Sequence, residues 1–108
     1  MRHLAVIAVA GGLLSAPAFA FNDLVSMQLA TELGGLIASE DICDLTLDQA
    51  AIESWIEAKI PADDMSFMGS LDMMIEGTKY NLRDMGASQK AAHCMQARRS
   101  AKAAGFID

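Results

Sequence analysis

The feature that most constrains this chain is a pair of cysteines, Cys43 and Cys94, in a short sequence that opens with an export signal. Residues Met1–Ala20 read MRHLAVIAVAGGLLSAPAFA. Arg2 supplies the positive start, Leu4–Leu14 the apolar run, and Ala18-Phe19-Ala20 a small-x-small cleavage site. That run is well short of the ~20 residues a membrane-spanning helix needs, so a cleaved signal peptide over 1–20 is favoured over a retained anchor. The expected product is an exported domain, residues 21–108, in the periplasm or secreted, with no membrane segment left. In an oxidising compartment two thiols have one possible pairing, and Cys43–Cys94 reads as a structural disulfide. Closing a loop of about 50 residues constrains the unfolded chain by roughly 4 kcal/mol in the loop-entropy model. That is comparable to the whole net stability of a domain this small. A redox pair would need a C-x-x-C motif with a lowered thiol pKa, which this spacing does not offer.

The apolar residues recur at helical spacing. Phe21–Ser39, with Asn22 or Asp23 as N-cap, carries Val25, Leu29, Leu33, Leu36 and Ile37 on one face, and Gly34-Gly35 weakens its last turn and is placed to end it early. Thr46-Leu47-Asp48-Gln49 fits a capping box before the stripe Ile52, Trp55, Ile56 and Ile60, which Pro61 ends. Asp63 and Asp64 suit the positive start of a third helix. Its stripe is Phe67, Leu71, Met74, Thr78, Leu82 and Met85, widened by Met68 and Ile75. A narrow line of small residues, Ser66, Ser70 and Gly77 with Gly69 nearby, marks this as the central helix, and Gly86 is its expected C′ stop. Ser88 caps a fourth helix from Gln89 to Ala103 with an inner face of Ala91, Cys94, Ala97, Ala101 and Ala104, flanked by Met95. Gly105, followed by Phe106 and Ile107, predicts a Schellman ending. No segment alternates at period two, so the expected fold is all-α: a small four-helix bundle-like domain with one disulfide.

The runs Pro61-Ala62-Asp63-Asp64-Met65, Ala92-His93-Cys94-x-Gln96 and Gly105-Phe106-Ile107 resemble a group of small exported alphaproteobacterial proteins. The likeness spans most of the chain after residue 20, and its motifs are structural rather than catalytic. It implies export and a disulfide and assigns no activity. Some of that group carry the label "signal recognition particle", a cytosolic ribonucleoprotein role that an acidic, exported, disulfide-bearing chain does not suit.

After cleavage seven cations face fourteen carboxylates, a side-chain balance of −7. Residues 21–78 hold Lys59 as their one cation against twelve carboxylates, whereas residues 79–108 hold six cations against Asp84 and Asp108. That acidity argues against nucleic-acid binding. Glu40-Asp41 reads as a solvated loop pair, and Arg98-Arg99 with Lys102 as a solvated helix end. No G-x-S-x-G, H-E-x-x-H or phosphate loop is present, so no catalytic residue is assigned, no cofactor is implied, and an enzyme is not expected. His93 is a lone surface or rim histidine, and a bridged Cys94 removes the Cys–His nucleophile.

Seven methionines follow the signal, and Met65, Met68, Met73 and Met74, with His93, form a candidate soft-metal set of the kind that selects copper(I). The competing reading places them in the core, where methionine fills irregular gaps. Two functions follow. One is a small periplasmic interaction or stress-related binding module whose partner is another periplasmic protein or a second copy of itself. In its acid-stress form, carboxylate protonation at roughly pH 2–3 loosens the methionine stripe. The other is a periplasmic copper(I)-handling protein. An inhibitor or immunity protein for a secreted toxin fits the size and compartment, with no residue to support it.

Overall fold

A computed structural model describes residues 23–108. The expected signal peptide, its cut after Ala20 and the Asn22 cap lie outside the described residues. Four helices follow in order: α1 Asp23–Cys43, α2 Gln49–Lys59, α3 Phe67–Arg83 and α4 Ala87–Ala104. The described residues contain no strand, and the fold is the all-α, bundle-like, disulfide-bonded domain expected.

The central helix is α1, not α3. Only α1 packs closely on two other helices, α3 and α4. It can do so because its small and apolar residues run most of the way round: Ser26, Ala30, Leu33, Gly34, Leu36, Ala38, Ser39 and Cys43 are all buried. Gly34 turns to α3, where a Cβ would lie 2.9 Å from the Met74 Cβ and 3.3 Å from the Ile75 nitrogen. Ser39 and Cys43 turn to α4. The glycine pair therefore does not end the helix, which continues two turns beyond it to Cys43. Gly34 is instead a point of close approach to α3. The small residues expected to mark α3 as central, Gly69 and Gly77, are exposed and have open space where a Cβ would stand.

The pairings set the directions. Ser26 meets Asp64, Gly34 meets Met74, and Ala38 and Ile42 line a cavity with Leu82 and Arg83, so α1 and α3 run parallel. Cys43 bonds Cys94 while Glu32 lies across a cavity from Ser100 and Ala103, so α4 runs antiparallel to α1. The core is Leu33, Leu36, Leu47, Trp55, Phe67, Leu71, Ala97, Ala101 and Phe106 around these contacts. α2 is held at its start and through one ring, with Ile52, Ile56 and Ile60 half-buried against the core. The Asp48 N–H donates to the Phe106 carbonyl at 2.8 Å, and Trp55 meets Phe106 edge-to-face at 6.1 Å between centroids.

Helix ends explain the remaining boundaries. Asp44 adopts a left-handed φ of 56°, and the Leu45 N–H reaches back to the Glu40 carbonyl at 2.9 Å, which closes α1. Glu40 is part of α1 rather than a loop, and its carboxylate accepts from the Leu47 N–H at 3.0 Å. That bond and the burial of Leu47 fix the approach to α2, so Asp48, not Thr46, is the N-cap, accepting from the N–H groups of Ala50 and Ala51. Ile60, before Pro61, is extended, as expected of a residue preceding proline. Gly86 starts α4 rather than ending α3 and replaces Ser88 as cap: its φ is −69°, and its N–H donates to the Gln89 side chain. At the far end Gly105 has φ 84°, with Gly105 N–H to Lys102 O and Phe106 N–H to Ala101 O, the expected Schellman pair. On the α4 inner face Cys94, Ala97 and Ala101 are buried and Ala104 half-buried, while Ala91 and Met95 are exposed.

Candidate interaction surface

Two ends of the molecule carry polar organisation. At the first, the sequence Pro61-Ala62-Asp63-Asp64-Met65-Ser66 leads into α3, and Asp64 holds it. Asp64 Oδ1 accepts from the Ser66 N–H at 2.9 Å, the Ser66 hydroxyl at 2.9 Å and the Phe67 N–H at 3.2 Å. Its Oδ2 accepts from the Ser26 hydroxyl of α1 at 2.9 Å. One carboxylate thus satisfies the Ser66 and Phe67 N–H groups at the start of α3 and pins that start to α1. The Ser66 backbone and side-chain hydrogen bonds, aided by those from Ser26 and Phe67, hold the Asp64 carboxyl below its ordinary value of 3.8.

This end carries exposed apolar surface. Phe67 is buried, but its neighbours are not: Met65 is 89% and Met68 56% exposed. Beside them a groove of about 390 Å³ opens between α2 and the start of α3. Its apolar lining is Ile56, Ile60, Pro61, Phe67 and Met68, and its charged lining is Glu57 and Asp64. On α3, Met74 is half-buried against α1, while Met73, one residue earlier, is 62% exposed. The expectation that Met68 belongs to the core stripe is therefore corrected: Phe67, Leu71 and Leu82 carry the burial.

At the other end Cys43 and Cys94 form the expected disulfide, with their Cα atoms 5.2 Å apart. One turn before Cys43, the buried Ser39 hydroxyl lies 2.7 Å from the Gly35 carbonyl and 2.8 Å from His93 Nε2. A hydroxyl has one proton, so both contacts are satisfied together when Ser39 donates to the carbonyl and Nε2–H donates to Ser39. His93 is thus a half-buried histidine at the rim of α4 with Ser39 as its partner. Ser39 is fully buried, so the pair is an interhelical tie and not an accessible nucleophile with its base. Arg98 donates to the Cys43 carbonyl at 2.9 Å, placing a cation at the negative end of α1. The sequence offered no signal for Ser39 or Arg98: their partners lie 54 and 55 residues away.

The candidate metal set is divided by this geometry. His93 is held at Ser39, whereas Met65 follows the Asp64 that is held at Ser26. Thirteen residues of α1 separate those two serines, roughly 20 Å of helix at 1.5 Å per residue. Met73 and Met74 are successive residues on one helix and face different ways, one to solvent and one to α1. Met65 and Met68 are therefore the part of the set that stays together at one exposed end. Among the described residues no group of three or more His, Cys, Asp and Glu side chains is placed to hold a metal, and no helix is long and apolar enough to cross a membrane. No protein-family model matches the chain, and no curated protein or solved structure is detectably similar to it.

Proposed function

We propose that this chain is a small exported binding module, working in the periplasm or outside the cell, that grips another protein with the methionine-flanked end of α2 and α3. The observation that carries the reading is the exposure of Met65 and Met68 beside an apolar groove. Methionine is flexible and polarisable, which suits it to adaptable binding surfaces, and contiguous exposed apolar surface on a small domain marks an interaction site. Asp64 adds preorganisation: it fixes the groove's α3 wall to α1 without blocking the thioethers. The role needs no cofactor and no catalytic group.

The test is site-specific crosslinking in living cells, with a photoreactive residue at Met68 or, as a control, at the exposed Gln96 of α4. A covalent adduct to one protein from position 68 and not from position 96 supports the reading. Equal adducts from both positions, or none from either, overturn it. Copper(I) titration separates the metal-handling alternative. Stoichiometric binding that disappears in Met65→Ser/Met68→Ser would reassign these thioethers to metal.

A further inference from the structure

Resting on that binding role, we infer that the groove between α2 and α3 receives an amphipathic helix of another protein, one whose flanks carry lysine or arginine. The floor asks for apolar side chains. Ile56, Ile60, Pro61 and Phe67 offer nothing polar, and about 390 Å³ suits a few residues from one helical face. Met68 forms an adjustable wall.

The rim asks for positive charge. Glu57 and Asp64 line the groove, and Asp63 is exposed next to it. From Leu45 to Thr78 there are seven carboxylates and one cation, Lys59. That cation is drawn away: its Nζ lies 5.8 Å from the centre of the Trp55 ring, and it lines a different cavity with Ser100 and Ala103. The field at the groove is therefore negative. A neutral apolar helix would gain burial alone, an acidic one would meet repulsion, and a basic amphipathic helix gains both burial and attraction.

A second copy of the chain is the poorer occupant. Its cations cluster on α4 and the end of α3, but the apolar face of α4, Cys94, Ala97 and Ala101, is already buried against α1. What α4 leaves exposed is Met95 among alanines, and what α3 leaves exposed is Met73 and Tyr80 with Gly77 between them, so neither helix offers a continuous apolar stripe beside its cations. The partner is thus a different protein that presents leucine-like residues at helical spacing between basic ones.

The experiment titrates the intact protein into two dye-labelled helical peptides of the same leucine stripe, one with lysine flanks and one with glutamate flanks, and follows fluorescence anisotropy. The lysine peptide is expected to bind at least tenfold more tightly, with affinity falling as salt rises. Met68→Lys, at a position already exposed, should weaken it about tenfold or more, and Glu57→Lys with Asp63→Lys should reverse the preference between peptides. Methionine-methyl NMR signals of Met65 and Met68 should move on binding while that of Met95 stays. Equal binding of both peptides, no binding of either, or methyl shifts confined to Met95 overturns the inference. So does a self-association that Met68→Lys abolishes. If the peptides fail while position 68 still crosslinks to one protein in cells, the partner class falls and the binding role survives. If both fail, the role falls as well.

Discussion

At Gly34 a methyl group has nowhere to go, since it would press on the Met74 Cβ and on the backbone nitrogen of Ile75, neither of which can swing aside. Gly35, its neighbour, has open space in the same direction. Gly34→Ala should therefore cost about 1–3 kcal/mol of overpacking, while Gly35→Ala should stabilise by up to about 1 kcal/mol through helix propensity. Urea midpoints that move in the same direction for both variants would contradict the parallel α1–α3 contact. The sequence could not separate the two glycines, because adjacent glycines are identical to a propensity argument and differ only in which partner they face. Asp64 is the second residue with a sharp expectation. Its folded pKa lies below the ordinary 3.8, so its contribution is present above that value and is lost as pH falls through the folded pKa. Asp64→Asn keeps an acceptor but loses the charge. Wild type should exceed it in stability at neutral pH, and the gap should close in acid below about pH 3.8. A gap that persists unchanged at pH 2 would mean that shape rather than charge holds the start of α3.

At the scale of elements, the same ending closes α1 and α4 with different residues, and only one of the two was legible. Gly105-Phe106 announces itself, because glycine accepts a left-handed φ and Phe106 then folds back to cover the core. Asp44 does the same job at φ 56° without the glycine that signals it, so periodicity alone ends α1 four residues early, at Ser39. Gly105→Ala should thus destabilise by about 1 kcal/mol. Asp44→Gly should stabilise by roughly 0.5 kcal/mol, the left-handed strain relieved less the extra freedom of the unfolded chain. Thermal midpoints that fall for both would remove the shared-ending account. The start of α2 escapes local reading for a related reason. Thr46 and Asp48 are both good caps, and the choice between them is made by Leu47 entering the core and Glu40 holding its N–H, contacts from outside the local window. Four helices, the proline stop and the middle of the α4 inner face, Cys94, Ala97 and Ala101, are readable from periodicity, whereas Ala91 at its start is exposed. Which helix sits in the middle is not, because the burial of α1 also runs through Ser26, Gly34 and Ser39, residues that carry no hydrophobic signal. The candidate binding end was half legible: Met65 and Met68 stood out in the sequence, but their exposure depends on Phe67 and Leu71 taking the core positions between and after them.

For the whole molecule, the disulfide matters through what its loop encloses. Between Cys43 and Cys94, 51 positions apart, lie all of α2 and α3, and of these only α3 packs closely on α1. The same junction also holds the Ser39–His93 and Arg98–Cys43 hydrogen bonds, each worth about 1 kcal/mol net or somewhat more where Arg98 is charged. Those bonds act on the folded state and vanish on unfolding, whereas the covalent bond restrains the unfolded chain as well. Replacing both cysteines, Cys43→Ala with Cys94→Ala, should leave the helical signal in place, because the two buried sulfurs are a small part of the core and the Asp64 cap and the Schellman ending are built from other residues. Stability should drop by about 4 kcal/mol in the loop-entropy model. Because the unfolded ensemble expands once the link is gone, the slope of stability against urea should steepen at the same time. A domain of this size has a net stability at the low end of about 5–15 kcal/mol, so the unlinked protein should be only marginally folded at 25 °C. A drop under about 1 kcal/mol with an unchanged slope would locate the joining of α4 to α1 in the packing of Leu33, Ala97 and Ala101 and the two hydrogen bonds, with the sulfur link merely recording their proximity.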